Sequence, residues 1–177
     1  IMPLLDGNDK PMLEKKLQVQ LPNGVMVSGI PDLVGMTWEG EIVVLDFKSA
    51  ASPAPEWFAG LSDQLLAYQV LVEAHAEILG IHGVDKLGFF ELIKRQVPNG
   101  NGKKKGTGPE VLPPVLVPRS DGSAFIRKAL WVASNIEAGN FFPNPRMAWN
   151  SPCGLCDYKL LCYEGSYEGL VQPEIEV

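Results

Sequence analysis

Asp32, Asp46 and Lys48 are the residues of this sequence whose types and spacing point first to chemistry. A run rich in β-branched groups over 25–36 and a near-continuous apolar run over 42–48 flank a turn at 37–41. With that turn centred at residue 39, the two runs pair antiparallel and set Asp32 opposite Asp46. Alternation along the second strand puts Lys48 on the face of Asp46. Directly opposed strand residues hold their Cβ atoms about 4.5–5.5 Å apart. Two carboxylates that close repel, so one takes up a proton or a cation sits between them. Oxygen ligands of this kind suit Mg2+ or Mn2+, and an adjacent ammonium can orient a water or offset charge on a phosphate. The same residues also fit a plainer arrangement, a strand-end ion pair of Asp46 and Lys48 with Asp32 in a turn after Pro31.

Two further groups stand apart from these. Gln64 and Tyr68 are four residues apart, so on a helix they share one face. Tyr68 also lies on an apolar stripe and fits a core position, and Gln64 fits a solvent-facing or capping amide. Cys153, Cys156 and Cys162 form C-x2-C-x5-C in the tail. Three thiolates so close around a tight turn suit zinc or an iron–sulfur cluster, where four ligands are usual. The chain has three cysteines in all.

The elements that must position these groups follow from periodicity. Strands are expected over 14–22, 25–36 and 42–48, forming a meander. Pro31 marks an edge or a bulge, and the run over 42–48 is apolar enough to be buried on both faces. Helical spacing then takes over, predicting one helix from 56 to 79 that ends near Gly80. A strand over 86–97, a turn-rich loop over 98–110 and a short extension over 111–118 come next. Ser123 is placed to cap a helix that stops at Gly139. Strands, helix, strand, helix argue for an α/β fold, a mixed sheet flanked by helices, with a core over 1–150 and a short cysteine-containing tail over 151–177.

Composition bounds the function classes. The chain has 177 residues, of which 46% are apolar and 20% charged, with 18 Gly and 15 Pro. That balance excludes a disordered chain, a coiled coil and a collagen-like repeat, and no apolar run approaches the ~20 residues of a membrane span. A cytoplasmic location is the expectation. Net charge is −6, but it is uneven: 1–85 carry 4 basic and 12 acidic groups, 86–128 carry 9 and 3, and 129–177 carry 2 and 6. A local basic segment can touch phosphate within an acidic chain, because such contacts are short-range at physiological salt. Lys103, Lys104 and Lys105 equally suit a solvated loop.

Pro31-Asp32, thirteen residues, then Asp46-Phe47-Lys48 resembles the PD-(D/E)XK signature of restriction-endonuclease-like nucleases. Gln64-x-x-x-Tyr68 resembles a motif of the RecB-like subgroup, which includes CRISPR-associated exonucleases and AddAB-type nucleases. The cysteine trio resembles that subgroup's C-terminal cysteines, which with one upstream Cys hold a 4Fe-4S cluster. The resemblance covers about 14–163. It implies a restriction-endonuclease-like fold and metal-dependent hydrolysis of DNA, with an exonuclease acting on single strands as the finer expectation. It implies Asp32 and Asp46 as ligands to Mg2+ or Mn2+, with the Phe47 backbone carbonyl as a further one. Lys48 would act on the nucleophilic water, and Gln64 and Tyr68 would position the strand or the lysine. Lys94, Arg95, Lys103, Lys104 and Lys105 would contact phosphates, and Glu14 would approach from the first strand. A helicase or a recombination or CRISPR protein is the partner class implied. The fourth cluster ligand is expected from a segment before Ile1, with Zn2+ as the alternative occupant of the trio. His75 and His82 match no family position and are expected to be structural. The competing classes are a DNA-binding module that does not cut, a zinc-binding interaction domain and a sequence-specific restriction enzyme.

Overall fold

A computed structural model of the chain describes residues 1–94, 108–140 and 156–170. Its contacts divide the chain into two units, 1–133 and 134–177. In the first unit the strands are β1 (Met2–Pro3), β2 (Leu17–Gln20), β3 (Met26–Gly29), β4 (Leu33–Met36), β5 (Ile42–Ala50), β6 (Lys86–Ile93), β7 (Glu110–Val111) and β8 (Val115–Pro118). Among the described residues, six of them form a mixed sheet in the order β1-β4-β5-β6-β7, with β8 also on β6. This is the expected α/β architecture.

The β4–β5 hairpin has the register that a turn centred at 39 requires: Leu33 pairs with Leu45 and Met36 with Ile42. Thr37 holds the turn, its hydroxyl oxygen accepting from the N–H groups of Glu39 and Glu41 at 3.3 and 3.2 Å. β5 then runs parallel to β6, Asp46 beside Phe89 and Lys48 beside Glu91. A parallel pair needs a crossover, and the segment between them supplies it.

Three expectations are corrected. The strands before β5 do not form one meander. The chain breaks at Ile30–Pro31, so that β2 and β3 make a separate two-stranded sheet while β4 joins the main one. Proline has no N–H to give a ladder, and the run divides there. The single helix over 56–79 is three pieces: a 3-10 helix (Glu56–Leu61), α1 (Asp63–Ala74) and α2 (Ala76–Leu79). Ser62 is extended and its hydroxyl accepts from Leu65 N–H at 3.3 Å, which starts a new helix. At the second break His75 Nδ1 donates to the Leu71 carbonyl at 2.8 Å. Gly80, at φ 65°, closes α2 in the left-handed conformation as expected. Finally, the helix α3 (Ser123–Glu137) takes its capping oxygen from Asp121, which accepts from Ser123 N–H at 3.0 Å.

The core lies on both faces of the sheet. Val44, Leu87 and Phe89 pack with Leu65, Leu71 and Val72 on the α1 side, and Leu33, Val43 and Leu45 pack on the other. Residues 42–46 are fully buried and 47–49 exposed, so the both-face burial expected of β5 stops after Asp46. The N-terminal stretch carried no periodic signal, yet it builds β1 on β4 and buries Met12. Gly35 makes that pairing feasible, since a Cβ there would lie 2.7 Å from the Met2 carbonyl oxygen. In the second unit the described residues hold the end of α3 and the short α4 (Lys159–Glu164), closed by Gly165 at φ 65°. No helix among the described residues is long and apolar enough to cross a membrane.

Candidate active site at the end of β5

β5 carries Asp46 from the core to the surface. Asp46 is 2% exposed and is the last residue of the buried half of the strand. Lys48 lies on the same face, two residues on, with its side chain 44% exposed. The hairpin register brings Asp32 beside them from the start of β4, and its carboxylate accepts from Phe47 N–H at 2.6 Å. Asp32 is held from behind as well, its backbone carbonyl accepting from Glu14 N–H at 3.1 Å.

α1 brings Gln64 and Tyr68 over the same place. The Gln64 amide donates to Asp46 Oδ1 at 2.8 Å and to the Tyr68 hydroxyl at 2.9 Å. Its carbonyl oxygen accepts from Lys48 Nζ at 3.1 Å. One glutamine thus spaces the carboxylate, the ammonium and the phenol. The other carboxylate oxygen, Asp46 Oδ2, lies 2.5 Å from Lys48 Nζ. That contact is an ion pair, and among the described residues Oδ2 has no hydrogen-bond donor besides it. Burial pushes the Asp46 carboxyl above the ordinary carboxylate range; Lys48 opposes the push and Asp32 adds to it.

Other buried polar groups contrast with this one. Gln69, wholly buried, is satisfied by the Ser120 backbone at 2.8 and 3.3 Å. Asp46 Oδ2, by contrast, is balanced by a partly exposed ammonium and, among the described residues, by no neutral donor. A carboxylate oxygen so placed, with a second carboxylate alongside, suits a hard cation such as Mg2+ or Mn2+. Among the described residues no group of three or more His, Cys, Asp and Glu side chains forms a fuller cage. Waters and substrate phosphate commonly complete a Mg2+ shell of few carboxylates.

The model of the PD-(D/E)XK nuclease superfamily matches residues 7–163. The chain belongs to that superfamily. Superfamily members are in general nucleases that use Mg2+ or Mn2+, and the donor set at the end of β5 accords with that chemistry. No curated protein matches the chain. Among solved structures, the crystal structure of SSO0001 is similar at 13% identity and a TM-score of 0.40, over 85% of this chain and 59% of that one.

In this superfamily member the remaining sequence-predicted residues fall as follows. Glu14 has a left-handed backbone at φ 49° and meets Asp32 through its N–H, not through its carboxylate. His75 serves the α1–α2 break, and His82 pairs with Asp85 at 3.0 Å. Lys94 is exposed just past β6. Arg95, Lys103, Lys104, Lys105 and Cys153 lie outside the described residues. Cys156 and Cys162 are free and exposed around α4.

Two positioning residues escaped the sequence reading. Gly29 on β3 lies against α1, where a Cβ would meet Leu71 Cδ1 at 2.8 Å and Tyr68 Cε1 at 3.1 Å. It gives the Tyr68 ring room. Glu91, beside Lys48 in register, accepts from Ala54 N–H at 3.0 and 3.2 Å and fixes the entry to the 3-10 helix. Neither has a local pattern; only the partner elements give them meaning. The alternate residues Leu45 and Phe47 face the opposite side and line, with Leu33, Phe90, Leu92 and part of Lys48, an open, mostly apolar hollow of about 680 Å3.

Proposed function

We propose that this chain is a metal-dependent deoxyribonuclease whose site is Asp32, Asp46, Lys48, Gln64 and Tyr68. The observation that carries the reading is Asp46 itself, buried, with Lys48 ion-paired to its Oδ2 at 2.5 Å and the Asp32 carboxylate beside it. Asp32, Asp46 and the Phe47 carbonyl would hold Mg2+ or Mn2+. When bound, such a cation supplies Lewis acidity and a more acidic water. The chain's own residues do the rest. Asp46 presents a carboxylate whose ionisation burial makes costly, and Asp32 sets a second carboxylate beside it, accepting from Phe47 N–H. Lys48 stands where its ammonium can orient the attacking water or neutralise a non-bridging phosphate oxygen. Gln64 fixes Lys48 against Asp46, and Tyr68 fixes Gln64, so the groups are held in place before substrate arrives.

The finer reading is a RecB-like exonuclease that prefers single-stranded DNA, supported by the Gln64–Tyr68 pair and the cysteine trio. Cys153, Cys156 and Cys162 would hold three corners of a 4Fe-4S cluster or a Zn2+ site. Lys94, Arg95 and Lys103, Lys104 and Lys105 would contact phosphates. The setting would be the cytoplasm, beside a helicase or a recombination or CRISPR protein.

End-labelled single- and double-stranded DNA, incubated with Mg2+ or Mn2+, tests the reading directly. Cleavage is expected, is stopped by EDTA, and falls about a thousandfold or more in Asp46→Ala, the size of several kcal/mol of lost transition-state stabilisation. Cleavage by that variant at the wild-type rate would remove the site, and a folded wild-type chain that binds DNA without cutting would make it a binding module.

A further inference from the structure

Beside the site, the 3-10 helix Glu56–Leu61 presents an aromatic surface that the proposed hydrolysis does not use. Trp57 is 63% exposed, Phe58 47% and Leu61 71%. The rings form a series. Phe89 sits beside Asp46 in the parallel register, about 4.8 Å away at the backbone. Phe58 lies 5.7 Å from Phe89 between ring centroids, and Trp57 lies 6.2 Å from Phe58, edge to face at 71°. The series therefore runs from the strand position next to Asp46 out to solvent. The same helix leads through Ser62 into the first turn of α1, where Gln64 holds Asp46 and Lys48. Its entry is clamped by Glu91 on Ala54 N–H, between Pro53 and Pro55, so the rings stand on a fixed support.

The charge around these rings indicates what they would take. Glu56 opens the helix and the helix carries no cation. The Asp63 carboxylate that follows is neutralised by Lys128. The helix itself offers a phosphate no cation, whereas it offers a nucleobase π faces. Bases inside a duplex are stacked on one another and not free to use them; unpaired bases are.

We propose that Trp57 and Phe58 form a stacking platform for unpaired bases of a nucleic-acid strand whose phosphate lies at Asp46 and Lys48. This rests on the nuclease reading for the location of the phosphate. It assigns single-strand preference to two residues outside the hydrolytic group.

The test is binding in an Asp46→Ala background, so that the probe stays intact. Fluorescein-labelled oligo-dT and a duplex of equal length are titrated with the full chain by anisotropy. Trp57→Ala and Trp57→Leu are each expected to weaken oligo-dT binding by about five- to a hundredfold, the worth of one stacked base. Trp57→Phe is expected to retain most of it, and duplex binding to stay within about twofold. Unchanged oligo-dT binding in Trp57→Ala, full affinity in Trp57→Leu, or an equal loss on duplex would each overturn the proposal. The nuclease reading fails separately: a wild-type chain that binds oligo-dT through Trp57 and never cuts with Mg2+ or Mn2+ leaves the platform standing. A chain that cuts with unchanged KM in Trp57→Ala removes the platform and leaves the nuclease.

Discussion

β5 meets a carboxylate from a neighbouring segment at each of its ends, and the two ends are built to opposite rules. At the N-terminal end Asp85 accepts from Ile42 N–H at 2.7 Å, and both its oxygens lie near His82 Nε2, at 3.0 and 3.1 Å. The His82 contact, then the Ile42 N–H, hold the Asp85 carboxyl below the usual range. At the C-terminal end Asp32 accepts from Phe47 N–H at 2.6 Å, a contact of the same kind. There, however, the strand itself contributes Asp46, buried and raised, with the ammonium of Lys48 against one oxygen and the Gln64 amide against the other. Residue type and backbone contact are shared. What differs is whether the surroundings solvate the negative charge. Asp85 ties strand to loop and stabilises the fold. Asp46 is placed where burial and the neighbouring Asp32 make ionisation costly even with Lys48 against it, which is the arrangement expected of a functional group. The site also falls where β5 leaves the core, the one stretch where a residue can be anchored behind and open in front.

The sharpest way to separate the ends is to remove the cation of the C-terminal one. Lys48→Ala is expected to lower the rate of metal-dependent cleavage by about a hundred- to a thousandfold, the usual cost of one transition-state charge partner. Because the Lys48 side chain is nearly half exposed and Asp46 can take up a proton in its absence, the urea midpoint should move little. Cleavage rate and urea unfolding on the same preparation check both halves. A large loss of stability with cleavage intact would make Lys48 a structural partner like His82.

A smaller effect is expected at the other end. Asp85→Ala leaves the N–H of buried Ile42 without its side-chain acceptor and frees His82, a loss of about 1–3 kcal/mol in unfolding free energy. Cleavage by the folded protein should stay within about twofold, since sites without shared partners behave additively. Urea denaturation, with activity assayed well below the transition, reads this. A parallel fall in cleavage would show that the ends are coupled through the strand.

Why the C-terminal end was legible in the sequence and the N-terminal end was not comes down to range. A turn of fixed centre and a period of two set Asp32, Asp46 and Lys48 together, and those rules held in the register of β4 on β5. Gln64 and Tyr68 were legible as a pair through helical spacing, although the helix itself begins later than its apolar pattern, because Ser62 caps it. Asp85, Glu91 and Gly29 act across elements far apart in the chain: Asp85 is 43 residues from Ile42 and Glu91 is 37 from Ala54. No local period encodes such pairs. The N-terminal strand β1 was missed for a related reason, since two residues of ladder show no alternation. Pro31 was read correctly as a disturbance, but whether it bends a strand or divides two sheets depends on what packs behind it.

The smallest effect is also the one that compares the ends most directly, through the pH dependence of stability in EDTA. For Asp46 the folded state holds its proton more tightly than the unfolded chain, so ionisation at neutral pH works against the fold. Asp46→Asn should therefore melt above the wild type at neutral pH. That gain should vanish as pH falls through the raised folded value towards the ordinary carboxylate range. For Asp85 the sign is reversed, since the folded state holds its proton less tightly. Its contribution is complete above the ordinary range and lost as pH falls through the depressed folded value. Asp85→Asn should melt below the wild type at neutral pH and rejoin it only at stronger acid. Both variants thus converge on the wild type from opposite sides, Asp46→Asn at the higher pH. Thermal melts across that range read both curves, and an Asp46→Asn that melts below the wild type at neutral pH would mean the buried carboxylate supports the fold just as Asp85 does.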